Sequence, residues 1–209
     1  MLRIGVDVGG TFTDFVSFDE ETGRIRHLKV LTIPVNPVEG VMNAVMEGVD
    51  GELSEVIVLV HATTLGTNMF LGQTGIEPPQ TVLVTNQGFT DVIEIGRQNR
   101  PRLYNPYYGK PRPLIPRNRR VGVKGRITSE GRELEPLDLE GLSVKIRFFC
   151  NQGIRVYAIS FLHSYKNPIH EEEAKRIVLE NCPGSIVVTS HEVDPQPMEY
   201  ERTSTTVVN

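Results

Sequence analysis

The sequence of 209 residues predicts an α/β protein, a mixed sheet with helices on both faces. Three observations lead there. Apolar residues alternate with polar ones between glycine turns three times in the first 31 residues, the period of antiparallel strands. After them, segments opened by capping residues and proline alternate with short β-branched runs, the pattern of helices between strands. The composition, 39% hydrophobic and 23% charged, is that of a globular chain and excludes disordered, collagen-like and disulfide-scaffold classes.

The elements follow in order. Arg3–Val8 and Phe12–Phe18 alternate as two strands, and Gly9-Gly10-Thr11 between them suits a tight hairpin. Gly23 turns the chain into a third strand near Ile25–Leu31. Asn36-Pro37-Val38-Glu39 starts a helix, with Asn as cap, Pro at the first helical position and Glu reaching back. It runs to about Val49, and Asp50-Gly51 ends it. Glu55–His61 reads as a buried strand, followed by the polar turn Ala62–Asn68 and a short helix. Thr81–Thr85 is a strand, and Gly88–Gly96 leads into a helix. Five of the 14 prolines fall between Pro101 and Pro116, which excludes long helices and central strands there. That stretch is expected to be extended, with short edge strands over Arg120–Ile127. A helix from Asp138 to about Gln152, a strand over Arg155–Leu162 and a helix from Asn167 to Cys182 follow, the last opened by Asn167-Pro168. A strand over Ser185–Ser190 and a helix from Tyr200 close the sequence.

Length allows one large domain or two small ones. The longest dense apolar run, Val56–Val60, is far short of the ~20 residues of a membrane helix, and no signal-peptide core precedes Asp7. Cys150 and Cys182 form no CxxC pair and there is no export signal, so both are expected as thiols of a soluble, cytoplasmic protein. The net charge of −4 conceals an asymmetry. Arg97–Arg126 holds ten Lys/Arg and no acid, while the remainder carries 12 basic and 26 acidic residues. No RNP motif, zinc finger or helix-turn-helix pattern accompanies that segment, so nucleic acid is not the expected partner.

The stretch richest in chemistry is Asp7-Val-Gly-Gly-Thr-Phe-Thr-Asp14. A carboxylate ending a first strand can hold Mg2+ through water. Glycines let backbone N–H groups approach phosphate oxygens, and Thr11 and Thr13 add hydroxyls. It is not a P-loop, because GxxxxGK[ST] and its helix are missing. An ordinary Gly-Gly hairpin accounts for the same eight residues.

This stretch resembles the first phosphate motif of the actin-like ATPases, in the form seen in the hydantoinase/oxoprolinase family. The resemblance extends to His61-Ala-Thr-Thr-Leu-Gly-Thr-Asn68, to Gly88-Phe-Thr-Asp-Val-Ile-Glu-Ile-Gly-Arg-Gln98 with Asn99–Tyr104, to Leu162–Glu171, to Ser190-His-Glu-Val193 and to Glu199–Thr205. These stretches keep the family's order along the whole chain. Ala62 stands where the family usually has Gly, Met69 where Ala is common, and Gly125-Arg126-Ile127 replaces Glu-Arg-Ile.

The resemblance implies a ribonuclease H-like (actin-like ATPase) lobe and ATP-dependent chemistry on a cyclic amide such as a hydantoin or 5-oxoproline. Relatives that carboxylate acetone or acetophenone are the alternative. A lobe acting only as a non-catalytic nucleotide- and partner-binding module is a further one. In the lobe, residues 1–196 form the N-terminal domain, with core strands over 3–31 and 155–190 and a family insertion at about 36–135. Residues 197–209 begin an interdomain helix of a second lobe, so the sequence is read as a fragment. The opposite arrangement, with the Val56 and Thr81 strands in the main sheet, stays open. ATP and Mg2+ are the implied cofactors, and a hydantoinase B-type subunit and the missing lobe are the implied partners.

Residue by residue, the family pattern makes Asp7 the Mg2+/water ligand and Gly9, Gly10, Thr11 and Thr13 the phosphate cradle. Asp14 is catalytic or structural. Thr63, Thr64 and Asn68 line a crevice or cap the next helix. Arg97, Gln98, Arg100 and Arg102 grip a substrate carboxylate or carbonyl, or form a face that docks an acidic companion. His163 and His170 are seven apart, unlike the usual helical metal pair. Glu199 and Glu201 sit where chaperone-type relatives place an acid near the metal, or simply begin a helix.

Overall fold

In the computed structural model, β1 (Leu2–Val8) pairs antiparallel with β2 (Phe12–Asp19), and β2 with β3 (Ile25–Leu31). The structure describes residues 1–49, 53–72, 75, 77–99, 102, 104–109 and 111–209. The expected end of the first helix at Asp50-Gly51 lies outside these residues. The chain separates into two compact units, 1–78 and 79–209.

In the first unit, helix α1 (Pro37–Gly48) starts as the sequence predicts. The Asn36 side chain accepts from the Glu39 amide, and its Nδ2 donates to Glu39 Oε2 at 2.9 Å. The reach-back of Glu39 is therefore to the cap's side chain. Strand β4 (Val56–Thr63) then pairs parallel with β1, giving the order β3-β2-β1-β4. Helix α1 covers one face, where Ile4, Val6, Val8, Phe15, Ala44 and Val45 form the core. A Cβ at Gly48 would lie 2.3 Å from the Phe15 ring, so the helix backbone sits directly on that aromatic. Helix α2 (Leu65–Phe70) follows β4.

The second unit is built on a parallel sheet of order β10-β9-β5-β6, from β5 (Thr81–Asn86), β6 (Arg120–Val123), β9 (Val156–Ser160) and β10 (Ile186–Thr189). Between β6 and β9 comes a two-stranded ribbon of β7 (Arg126–Ile127) and β8 (Glu133–Glu135). Helix α3 (Val92–Ile95) follows β5. Helices α4 (Leu139–Asn151, capped by Asp138) and α5 (Ile169–Asn181) cover one sheet face, packing Leu142, Ile146, Ala174 and Val178 on Val82, Val84, Tyr157 and Ile159. On the other face Leu83, Ile115 and Ala158 meet Ile93 and Val207. Two short helices complete the unit, α6 (Ser190–Val193) and α7 (Glu199–Val208).

Several expectations are corrected. One mixed sheet becomes a mixed sheet and a separate parallel sheet. Of the 155–190 strands, β9 pairs with β5 and with β10, in the sheet that β6 completes, rather than with the 3–31 strands. The segment 36–135 supplies β4 to one sheet and β5 and β6 to the other. Among the described residues, helices lie on both faces in the second sheet, while in the first Ile25 and Leu31 are each 68% exposed on the face opposite α1. Strand β4 is largely exposed because it is an edge, although its apolar run reads as two-sided burial. Pro168 itself occupies the cap of α5, and Asn167 braces the turn through Ile169 N and Gly131 O.

The cysteines are also not separate thiols. Cys150 at the end of α4 and Cys182 at the end of α5 form a disulfide with Cα atoms 5.6 Å apart, which removes the ground for expecting a reducing compartment. Loop closure over their separation of 32 residues is worth about 3–4 kcal/mol. Replacing both cysteines by serine should lower the unfolding free energy by about 2–5 kcal/mol, measured by urea denaturation without reductant. Identical wild-type curves with and without dithiothreitol would contradict the pairing.

Candidate functional site

In the first unit, parallel pairing of β1 and β4 places the C-terminal ends of both strands side by side, with Val8 opposite Thr63. Two turns leave this edge. In the β1–β2 turn the Gly9 N–H donates to Phe12 O at 3.0 Å. A Cβ on Gly9 would lie 3.0 Å from that oxygen, so the turn closes this tightly only around glycine. In the β4–α2 turn, Thr64 N donates to Val8 O at 3.1 Å, and Asn68 Nδ2 donates to Thr64 Oγ1 at 3.1 Å. Thr63 Oγ1 accepts from Leu65 N at 3.1 Å. Asn68 thus holds Thr64, Thr63 holds the Leu65 amide, and the Thr64 amide fastens the turn to the end of β1 beside the Gly9–Thr11 loop. The contact of Thr63 Oγ1 with Leu65 N is local to the start of α2, where the Thr64 side chain makes no capping hydrogen bond.

The expected phosphate cradle divides. Thr11 is exposed, as is the Asp7 side chain, and neither side chain has a protein partner among the described residues. Thr13 is fully buried, and its hydroxyl pairs with Thr32 Oγ1 at 3.0 Å, which also donates to Gly9 O. Thr13 therefore braces the loop from beneath. Thr32 was not visible as a site residue, because only β2–β3 pairing brings a residue so distant in sequence under the loop.

Asp7 and Asp14 face each other across the β1–β2 ladder. Lys29 Nζ donates to Asp14 at 2.9 Å and His27 Nε2 stands 3.3 Å away. The hydrogen bond from Lys29, with its charge and His27 assisting, holds the Asp14 carboxyl below its ordinary value. An ionised, occupied carboxylate is suited to holding the strands in register. That leaves Asp7 as the carboxylate open to a ligand.

One exposed carboxylate beside a glycine loop fits Mg2+, which keeps most of its waters and takes one or two carboxylates plus phosphate oxygens. Among the described residues no cluster of three His, Cys, Asp or Glu is placed to cage a metal.

Arg97, Gln98 and the remaining candidates belong to the second unit. Arg97 pairs with Glu201 on α7, and Glu199 approaches Arg202 at 3.8 Å, so helix-start ion pairs account for both acids. Gln98 has a left-handed backbone, φ 60°. Arg100 lies outside the described residues. Arg102 is exposed. The basic segment is not a bare positive face, since the buried Arg120 binds Asp91 and Glu94, and Arg117 binds Asp91. His170 is buried with Nε2 2.8 Å from Glu133, and His163 Nδ1 stands 3.5 Å from the Tyr165 hydroxyl.

A buried network missed from the sequence ties this unit together. Glu171, fully buried on α5, accepts from Phe161 N at 2.8 Å, Ser190 Oγ, His191 N at 2.9 Å and His191 Nδ1 at 2.8 Å. Arg202, 1% exposed on α7, donates to Phe161 O at 2.9 Å, Gln196 O at 2.7 Å and Ser190 Oγ at 3.2 Å. The Phe161 backbone is clamped on both sides by these two ions. Glu and Arg in helices read as solvated, so the signal available was the resemblance of Leu162–Glu171, Ser190–Val193 and Glu199–Thr205.

Residues 3–182 match the model of the hydantoinase/oxoprolinase N-terminal region. The chain belongs to that family. It is 49% identical, over 99% of its length and 30% of the relative's, to an uncharacterized protein of Methanocaldococcus jannaschii. To the caprolactamase subunit alpha of Pseudomonas jessenii it is 35% identical over 99% of this chain and 30% of that one. The crystal structure of the ATP-dependent caprolactamase from that organism superimposes with a TM-score of 0.81 at 32% identity, over 99% of this chain and 31% of that one. The nucleotide-free structure of acetone carboxylase, an enzyme of ATP-dependent acetone carboxylation, gives a TM-score of 0.81 at 27% identity with the same coverage. The chain thus spans less than a third of these relatives' length. Among the described residues no helix is long and apolar enough to cross a membrane.

The His191–Glu171 contact carries a pH dependence. The hydrogen bond to Glu171, with the charges of Glu171, Glu192 and Glu172, raises the His191 pKa despite its burial. A histidine raised in the folded state stabilises fully below its unfolded value of about 6.5 and loses that contribution as pH climbs through the folded value. Unfolding free energy should therefore fall as pH rises from about 6.5 through the raised folded value, and Glu171→Gln should flatten that slope. A slope unchanged in Glu171→Gln would contradict the assignment.

Proposed function

We propose that this chain is the N-terminal ATPase lobe of an ATP-dependent enzyme that opens a cyclic amide of the hydantoin, N-methylhydantoin or 5-oxoproline class. The observation that carries this reading is the open Asp7 carboxylate beside the Gly9–Thr11 loop, in a family whose relatives include an ATP-dependent caprolactamase. In this reading Asp7 holds Mg2+ through water, and Gly9, Gly10 and Thr11 let phosphate oxygens approach the backbone. Thr13 and Thr32 keep the loop in shape from below. Thr63, Thr64 and Asn68 form the neighbouring wall, and Asp14 with Lys29 holds the strand register under the site. Mg2+ with ATP would supply charge neutralisation at the transferring phosphoryl group. ATP would transfer its γ-phosphoryl group to the amide oxygen with release of ADP. Water would then add to the activated ring carbon, and the C–N bond would break as the nitrogen takes a proton. A second water would release the phosphoryl group as inorganic phosphate, leaving the carboxylate.

The likeness to acetone carboxylase favours a second reading of the same loop, in which the phosphoryl transfer serves a carboxylation. Under either reading we place residues 1–196 in the N-terminal domain and residues 197–209 at the start of the segment leading to a second lobe. The caprolactamase relative is named as a subunit alpha, which supports a B-type subunit as partner. The isolated 209 residues are expected to be inactive alone.

The test uses the full-length protein. ATP hydrolysis should appear only with a cyclic amide present, and Asp7→Asn should lower it by ~100-fold or more. Because Asp7 is exposed and unpartnered, the substitution should change stability by no more than about 0.5 kcal/mol. An unchanged hydrolysis rate in Asp7→Asn would overturn the assignment. Dependence on a ketone with bicarbonate, rather than on a lactam, would select the carboxylase reading.

A further inference from the structure

Helix α7 has two unlike faces. Arg202, Thr203 and Thr206 turn inward, with Thr203 Oγ1 2.8 Å from Ser160 Oγ on β9. Tyr200, Ser204, Val207 and Val208, at helical spacing on another side, form one wall of a cavity of about 780 Å3. The residues Ile93–Asn99 and the prolines and Leu114 of the 111–114 stretch form the others. This volume falls within the ~300–1,000 Å3 of small-molecule sites.

Two left-handed backbone positions shape the wall, one at a glycine and one not. Gly96 adopts φ 57° and ψ −143°, and a Cβ there would stand 3.5 Å from Tyr200 Cζ, so its bare backbone lies against that ring. Gln98 keeps a left-handed backbone at φ 60°. In a residue other than glycine such a conformation persists where the surroundings impose it, often around ligands.

The polar groups of the cavity sort by availability. Arg97 and Glu94 are engaged with Glu201 and Arg120. Among the described residues, the side chains of Gln98, Asn99, Tyr108, Arg112, Tyr200 and Ser204 have no hydrogen-bond or ion-pair partner. They comprise two carboxamides, three hydroxyls and one guanidinium, set among isoleucine, proline, leucine and valine walls. Among the described lining residues, the charged side chain without a protein partner is that of Arg112. Such a lining favours an apolar or aromatic body carrying one carboxylate, excludes cations, and admits a neutral carboxamide less tightly.

We propose that this cavity is a binding site for a small organic carboxylate with an apolar or aromatic body. Arg112 and the Gln98 and Asn99 amides hold its carboxylate, and Tyr108, Tyr200 and the valines of α7 cover its body. The proposal is independent of the nucleotide assignment and would stand if that assignment failed.

The test is a two-dimensional amide NMR titration of the chain with benzoate, benzamide and benzylammonium. Benzoate should shift the amides of Gln98, Asn99 and Ser204. Benzamide should do so about tenfold more weakly, and benzylammonium should not. Arg112→Gln should reduce benzoate affinity to that of benzamide and leave benzamide unchanged. Ser204→Phe, which fills the cavity from an outward helix position, should remove both while leaving the unfolding midpoint intact. If Ser204→Phe unfolds the chain, Val208→Phe at the same wall is the second variant. No shift of these amides up to tens of millimolar benzoate, or equal binding of benzylammonium, would overturn the proposal.

Discussion

The parallel pairing of β1 with β4 is the constraint on which the candidate nucleotide site depends. It sets Val8 against Thr63, so that both strands release their chains at the same edge. The carbonyl of Val8 then anchors Thr64 N. One turn supplies the glycines and the other the threonines. Antiparallel pairing in this position would have sent the β4–α2 turn to the opposite end of the sheet. The open Asp7 is a consequence of strand alternation on the same ladder, since Ile4, Val6 and Val8 take the α1 side and Asp7 the exposed one.

The second unit is organised by a different device. Glu171 and Arg202 are ionic groups withdrawn from water that do not touch each other. They meet through Ser190 and through the two polar groups of the Phe161 backbone. Breaking such a buried set leaves an uncompensated charge, a far larger penalty than losing a surface pair. The end of β9, the start of α5, α6 and α7 are therefore positioned together, and the outward face of α7 is fixed as a cavity wall.

Much of this was legible in the sequence where the signal is local. Asn36-Pro37 and Asp138 each cap the helix they announce, and Gly9 lies where the hairpin needs it. Which sheet a strand joins is not local. Val56–Thr63 and Val156–Ser160 have the same β-branched character, yet one is a half-covered edge and the other an interior strand. Long-range partners were equally hidden. Thr32 reaches the loop through β2–β3 pairing, Cys150 meets Cys182 through the packing of α4 on α5, and Glu171 sits in a run of acids that resembles any solvated helix start. The family resemblance located the loop and the order of the stretches, but only the fold showed that Thr13 faces inward and Asp14 is already occupied.

The central claim is that Asp7 and the two turns beside it receive a metal-bound phosphate chain. Paramagnetic line broadening by Mn2+ with ADP, recorded on the backbone amides, reads this directly and detects even weak binding. The account predicts preferential broadening of Asp7–Thr11 and Thr63–Asn68, lost in Asp7→Asn. Broadening that leaves these residues untouched, or that persists in Asp7→Asn, would contradict it.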